Sequence, residues 1–275
     1  MTSVVIAAHD EAAVLGRCLD ALLSGPGHPD VTVVANGCTD GTAAVARAQA
    51  GVRVLELAEA GKAAALNAGD AVAVGFPRVY LDADIVLPPG AVDALAGALA
   101  GTGALAAVPA RALDLTGRPP LVRAFYAINT RLPAYRGALF GRGAVALSGA
   151  GRARFDAFPG HLADDLFLDS LFAPEEKTEV PAVVSTVAAP RRTADLVRRL
   201  VRVRAANAQL RTTSTAVRRS VRSSWLRDVV VPRPWLAPAG ACYAALVLTA
   251  ELRARREARG TVAWGRDESS RRSHA

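Results

Sequence analysis

The chain has 275 residues, 51% of them hydrophobic, enough to bury one large core with an appended segment and too few for two independent enzymes. Its net charge of +8 is uneven: residues 1–190 hold 14 Lys and Arg against 19 Asp and Glu, whereas residues 191–275 hold 19 against 6. That basic last third could face nucleic acid, anionic lipid or phosphate, but all basic residues except Lys62 and Lys177 are Arg, a compositional bias, and aromatics at 5% are too sparse for a base-stacking platform, so nucleic acid is excluded.

In chain order, short apolar runs rich in β-branched residues alternate with Ala/Leu helical patterns. Strands are expected at Ser3–Ala8, Val31–Ala35, Val52–Leu57 and Arg78–Leu81, with helices at about 11–24, 40–50, 62–74 and 90–100. A strand near 104–110, a loop-rich stretch from 114 to 147, a helix beginning near Ala163 and a strand over Val180–Ala188 follow. Strand and helix alternation implies a doubly wound, parallel sheet. Beyond Arg191 come an Arg-rich helix over about 192–222, a Pro-punctuated apolar stretch, a charged helix over 240–259 and a polar tail. Three parts are therefore expected: 1–190 as the α/β domain, 191–262 as a basic, amphipathic helical extension, and 263–275 as a disordered tail.

Cys18, Cys38 and Cys242 are far apart and form no CxxC pair, which points to neither a zinc site nor a disulfide framework and fits a reducing cytoplasm. The opening MTSVVIAAHDEA reads as a strand and not as a signal peptide. The longest apolar stretch, Val229 to Ala250, is broken by Pro232, Arg233, Pro234 and Pro238. Its clean part falls well short of the ~20 residues a membrane span needs, so an interfacial or core helix is expected.

Ligands of a doubly wound sheet bind at the carboxyl ends of the strands, and there the unusual residues collect. His9-Asp10-Glu11 follows the first strand, Asn36-Gly37-Cys38-Thr39-Asp40 the second, Gly61-Lys62 the third and Asp82-Ala83-Asp84 the fourth. Two carboxylates at the end of a buried strand repel unless a cation sits near them. A hard divalent ion shared with substrate phosphates is the usual solution, and it would offset charge on a diphosphate leaving group. Alone, the tripeptide is as well explained by two solvated turn acids.

Its company decides the reading. IAAHDEA at 6–12, VVANGCTDGTA at 33–43, GKAAALNAG at 61–69, YLDADIVLPPGA at 80–91 and ADDLF at 163–167 resemble, in order and separation, the inverting glycosyltransferases of family 2. The resemblance covers about residues 2–172. It implies the GT-A fold, a Rossmann-like α/β arrangement whose mixed, mostly parallel sheet is flanked by helices, here with an Arg-rich helical extension at the C-terminus. It further implies that Ala8, His9 and Glu11 line the nucleotide of a nucleoside-diphosphate sugar, with Glu11 near the ribose or base. Asp10 is equally well read as the N-cap of helix 11–24. Asn36 takes the place that reads the base edge, with Gly37 beside it. The family more often has Asp-Asp where this chain has Ala35-Asn36, and because an amide both donates and accepts, UDP is favoured without GDP being dismissed. Asp40 is read first as a helix cap and second as a ligand contact. Gly61 allows close backbone approach and Lys62 meets phosphate or base.

By the same resemblance Asp82, Ala83 and Asp84 form the acidic motif, Asp82 contacting ribose and both aspartates serving a divalent cation, Mn²⁺ or Mg²⁺, with Asp84 as the main ligand. Asp164-Asp165 occupies the place of an acidic pair, usually Glu-Asp, whose second member is the general base. A hydroxyl acceptor must lose its proton as it attacks, which assigns Asp165 as base; Asp at 164 shortens that arm relative to the family. His161 could bind diphosphate or metal, although a lone His in a Gly/Pro loop is more often a surface residue. The Gln/Arg-x-x-Arg-Trp motif of processive synthases has no counterpart, only LVRRLVRVRAANAQL at 196–210, which argues for addition of a single sugar; inversion is what the resemblance implies.

The acceptor, a small molecule or a lipid-linked glycan, is expected to be read by the stretch 114–147 through Arg118, Arg123, Phe125, Tyr126, Arg131, Tyr135 and Arg136. In 192–222, Leu196, Val197, Leu200, Val201, Val203 and Leu210 interleave with Arg. This amphipathic helix either packs on the catalytic domain with an Arg fringe or lies on an anionic bilayer, which would place a cytoplasmic enzyme at the inner face of the membrane. A nucleotidyltransferase is the rival class, but such enzymes open with a Gly-rich loop where this chain has AAHDEA; an inactive nucleotide-binding relative is the other.

Overall fold

The computed structural model describes residues 1–25, 27–160, 164–213 and 223–257. The elements in chain order are β1 (Ser3–Ala8), α1 (Ala12–Leu23), β2 (Asp30–Asn36), α2 (Thr42–Arg47), β3 (Val52–Leu57), α3 (Lys62–Val72), β4 (Arg78–Asp82) and α4 (Ala91–Thr102). They continue with β5 (Ala106–Asp114), α5 (Pro120–Asn129), β6 (Ala144–Leu147), the single turn α6 (Gly149–Arg152), α7 (Asp164–Leu171), β7 (Lys177–Ala188), α8 (Thr193–Thr213) and α9 (Ala237–Glu257). The described residues form two compact units, one from 1–112 and 139–187 and the other from 113–138 and 188–257.

The first unit is built on a seven-stranded sheet of order β3-β2-β1-β4-β6-β5-β7. β1 pairs in parallel with β2 and β4, and β2 with β3, whereas β6 runs antiparallel to β4 and β5. The mostly parallel sheet expected from the strand and helix alternation is therefore present. Its central strands are apolar without a break because both faces are covered. Val4, Ile6, Val79 and Leu81 face one core layer with Leu15, Leu19, Leu95 and Leu99. Val5 and Tyr80 face the other with Leu66, Phe158, Leu168 and Phe172.

Under that second face lies a buried polar knot at the amino end of β4. Asp70 accepts from the Arg78 and Arg152 guanidinium groups and, at 3.0 Å, from the Tyr80 hydroxyl. Arg78 also donates to the carbonyls of Ala73 at 2.7 Å and Asp70 at 3.0 Å. One carboxylate thus answers two largely buried guanidinium groups that would otherwise face each other.

The stretch 114–147, expected to be loop, holds α5 and β6. Pro120 stands at the start of α5, and Val122, Phe125, Tyr126 and Ile128 form its buried side, a pattern of helical spacing. β6 is only Ala-Val-Ala-Leu, too short and too Ala-rich to be read as a strand in isolation. Phe125 and Tyr126, assigned to acceptor recognition above, are core residues. Phe125 stacks on Tyr243 with ring centroids 5.0 Å apart.

In the second unit α5, α8 and α9 share an apolar core of Val122, Phe125, Leu196, Val197, Val201, Leu246 and Ala250. From α8, Leu196, Val197 and Val201 are buried there and Leu200 packs against them, whereas Val203 is 45% exposed. The part of the expected Arg-rich helix beyond 213 lies outside the described residues, as do His161 and the tail 263–275. α9 begins at Ala237, ahead of Pro238, because proline is tolerated in the first turn, where its missing N–H has no partner to lose.

Candidate active site

The first three loops at the carboxyl edge of the sheet are tied to one another by their own side chains. Asp10 adopts a left-handed φ of 49°, a conformation that aspartate enters more readily than most residues. Its carboxylate accepts from the Thr39 amide at 2.6 Å and from the Thr39 hydroxyl at 3.2 Å. In return Asp40, across the gap, accepts from the Ala12 amide at the start of α1 at 3.1 Å and from the Thr42 amide at 2.9 Å. The capping expected of Asp10 for α1 is thus carried by Asp40 from the neighbouring loop. The Glu11 amide donates to the Thr42 hydroxyl at 2.7 Å, and Glu11 is buried.

Asn36 does not hold its amide out to a base. It is 1% exposed; its Nδ2 donates to the Ala8 carbonyl at 2.8 Å and its Oδ1 accepts from the Gly61 amide at 2.9 Å. With both ends of the amide spent on backbone, Asn36 fastens the ends of β1 and β2 to the loop before α3. Gly37 follows with φ 56°, and a Cβ there would lie 2.5 Å from the Ala60 nitrogen, so the close approach of these two loops requires glycine. His9 Nδ1 lies 2.5 Å from the Asn36 carbonyl oxygen. His9, Asp10 and Cys38 bring a ring nitrogen, a carboxylate and a thiol within 4.8 Å of one another, a grouping that arises between loops and leaves no CxxC spacing in the sequence.

β4 ends in the acidic turn. The Asp82 amide donates to Gly143 at 2.8 Å and the Ile85 amide to the Asp82 carbonyl at 3.1 Å, which buries Ala83, leaves Asp82 half-buried and sends Asp84 to the surface. Beneath the turn the Cys18 thiol is pushed up to about 12, by burial first and then by the charges of Asp84 and Asp82, which leaves it unreactive at neutral pH.

Lys62, at the start of α3, joins the turn to α7. Its Nζ lies 2.8 Å from Asp82 Oδ1 and 2.9 Å from Asp164 Oδ2. Burial works against the ammonium, and Asp164, Asp82 and Asp165 more than compensate, holding its pKa well above the ordinary lysine range. Asp165 accepts from the Gly141 amide at 3.1 Å. Burial and then the adjacent Asp164 raise its carboxyl to about 7, against the opposing pull of Lys62.

Two further contacts set the pose of α7, and neither stood out in the sequence. Asp169 accepts from the Leu139 amide at 2.8 Å and from Lys177 at 2.9 Å. Asn67 on α3 exchanges two hydrogen bonds with the backbone of Phe158, at 2.7 and 3.0 Å. Asn67 lies in the GKAAALNAG segment, whose last part therefore braces the chain leading into the acidic pair while its first part supplies Lys62.

The sequence model of glycosyl transferase family 2 matches residues 3–144, more than half of the chain. The chain belongs to that family. The match stops before Asp164 and Asp165, so those two rest on the geometry just described. Among solved structures, the mannosyltransferase PcManGT from Pyrobaculum calidifontis, in complex with GDP-Man and Mn²⁺, is similar over 95% of this chain and 76% of its own, with TM-score 0.60 and 22% identity. Glucosyl-3-phosphoglycerate synthase from Mycobacterium tuberculosis, in complex with Mn²⁺, UDP and glucosyl-3-phosphoglycerate, is similar over 77% of this chain and 79% of its own, with TM-score 0.54 and 22% identity. S. aureus TarS in complex with UDP-GlcNAc is similar over 74% of this chain at TM-score 0.53 and 13% identity, and the family 2 chain spans just under two thirds of it, 65%. At such identities the likeness is one of fold, and the fold is GT-A. No curated protein sequence matches.

Proposed function

We propose that this family 2 chain is a metal-dependent, inverting glycosyltransferase that moves one sugar from a nucleoside-diphosphate sugar, UDP favoured over GDP, to a hydroxyl of a small-molecule or lipid-linked acceptor. The observation that carries the reading is the position of Lys62. One ammonium lies within 2.9 Å of carboxylates from both the β4 turn and α7, so Asp82 of the acidic turn shares one pocket with Asp164 and Asp165.

Asp82 and Asp84 offer carboxylate oxygens only, the donor type of Mn²⁺ and Mg²⁺, and an ammonium already rests on Asp82 as the cation that its charge demands. When bound, the metal would neutralise the diphosphate leaving group. The chain's own residues do the rest. His9 and Gly37, partly exposed, line the nucleotide, while Ala8 and Glu11, expected to line it too, are buried and with Asn36 fix the loops that hold it. Lys62 turns from its carboxylates toward the diphosphate. Asp164 steadies Lys62, and Asp165 takes the acceptor proton as the hydroxyl attacks the anomeric carbon opposite the departing diphosphate. A carboxyl raised to about 7 is a stronger base than an ordinary aspartate and is ionised just above neutrality. Three free cysteines are in keeping with a cytoplasmic setting.

With no acceptor identified, water serves as the test nucleophile. Incubation with UDP- and GDP-hexoses and Mn²⁺ should release nucleoside diphosphate slowly, and EDTA should stop the release. Proton NMR of the first sugar formed should show the anomer opposite to that of the donor. Release of the same anomer, or release indifferent to EDTA, would contradict the mechanism.

A further inference from the structure

We propose that the outer face of α9 lies in the headgroup layer of an anionic bilayer, so that the second unit is a peripheral membrane anchor. α9 has two apolar faces and the protein uses only one. Gly240, Leu246 and Ala250 are buried, with Leu246 and Ala250 packed in the core shared with α5 and α8. On the opposite side Ala241, Ala245, Leu248 and Leu252 recur at helical spacing and are exposed, Leu248 at 59% and Leu252 at 49%. Trp235, in the turn that leads into the helix, is 72% exposed. Tryptophan with one apolar and one polar edge favours the membrane–water boundary.

Within Pro234–Arg256 an 18-residue window has a mean hydropathy of 1.4, and only 17% of that window is buried. The helix is held against crossing the membrane by its inner face and by the ion pair of Glu251 with Arg204 of α8, at 3.2 Å. An in-plane pose keeps both. Among partners, charge favours lipid over a second copy of this chain. Arg253, Arg255 and Arg256 close α9 and Arg227 and Arg233 precede it, in a region where 19 basic residues face 6 acidic ones. Two copies docked through this face would bring two such regions together, whereas anionic headgroups neutralise them. The sequence pointed to α8 for this task; Leu196, Val197 and Val201 of α8 are buried in the same core, whereas α9 presents a continuous exposed apolar row, so the role moves to α9. A bilayer-bound transferase fits the lipid-linked member of the acceptor classes proposed above, and only that clause rests on the transferase reading.

The test is flotation of the full-length protein with vesicles of phosphatidylcholine alone or with phosphatidylglycerol, beside the variants Leu248→Glu/Leu252→Glu and Trp235→Ala. Both changes fall on exposed positions, and thermal melting checks that the fold survives. The parent should float with the anionic vesicles, bind neutral ones weakly, and lose roughly tenfold or more of its partitioning in the double variant. Absence of flotation, or equal flotation of the double variant, would overturn the proposal. So would a parent that stays in solution as a dimer which the double variant splits, the face then being a protein interface. Nucleotide binding measured on the same samples fails or persists independently of flotation, which separates this proposal from the transferase reading.

Discussion

Replacing Asp165 with Asn lowers donor turnover by about 10²–10⁴-fold, the range a positioned general base contributes, with nucleotide affinity unchanged. The amide keeps the size of the carboxylate and can still accept from the Gly141 amide, but it cannot take a proton. The parent should show kcat/KM rising with pH and levelling off above about 7, where the raised carboxyl of Asp165 is ionised, and the variant should lose that limb. Stability supplies a separate check with its own sign. A carboxyl whose pKa is raised on folding holds its proton longer in the folded chain than in the unfolded one, so stability falls as pH rises from the ordinary aspartate range to about 7. The Asn variant removes that cost and should melt higher than the parent at pH 8. A merely structural Asp165 would give the opposite: a lower melting temperature with turnover reduced only in proportion to the folded fraction.

Asp70→Ala should be the most damaging single change to the first unit. Arg78 and Arg152 would then face each other, both largely buried, with their shared carboxylate gone, and breaking a buried charge network by removing one partner costs about 3–5 kcal/mol. For a chain of this size that corresponds to a fall of roughly 10 °C in melting temperature, read by circular dichroism. The knot sits at the amino end of β4, away from Lys62 and Asp165, so at low temperature the folded fraction should retain its affinity for nucleotide. A shift of a degree or two would mean that water already satisfies the two guanidinium groups.

The strands β1 to β4 were legible because each is a short apolar run between loops with chemistry at their ends; the sheet buries β1, β2 and β4, while β3 at its edge is only partly covered. Asp82, Asp84 and Lys62 could be assigned to the carboxyl edge and Asp164 only to the acidic pair that the resemblance implies, and the ammonium lies between Asp82 and Asp164. What escaped the sequence was exchange between loops. Asn36 looked like a base reader, yet its amide is consumed by Ala8 and Gly61, partners 28 and 25 residues away. Asp40 keeps its expected place at the start of α2 and also takes the Ala12 amide expected of Asp10, because a cap can come across a gap that local spacing does not reveal. α5 was hidden by expectation of loop around the prolines at 119 and 120, one of which starts the helix. β6 is four residues long and becomes a strand only because β4 and β5 flank it.

Calorimetric titration of UDP and of GDP into the purified protein, with Mn²⁺ and then with EDTA, tests the central claim most directly when it is repeated on Asp84→Ala. The expected result is diphosphate binding that requires the metal and is lost in the variant, with the tighter nucleotide naming the donor. Binding of neither diphosphate with metal present, or equal binding by parent and variant, would contradict it.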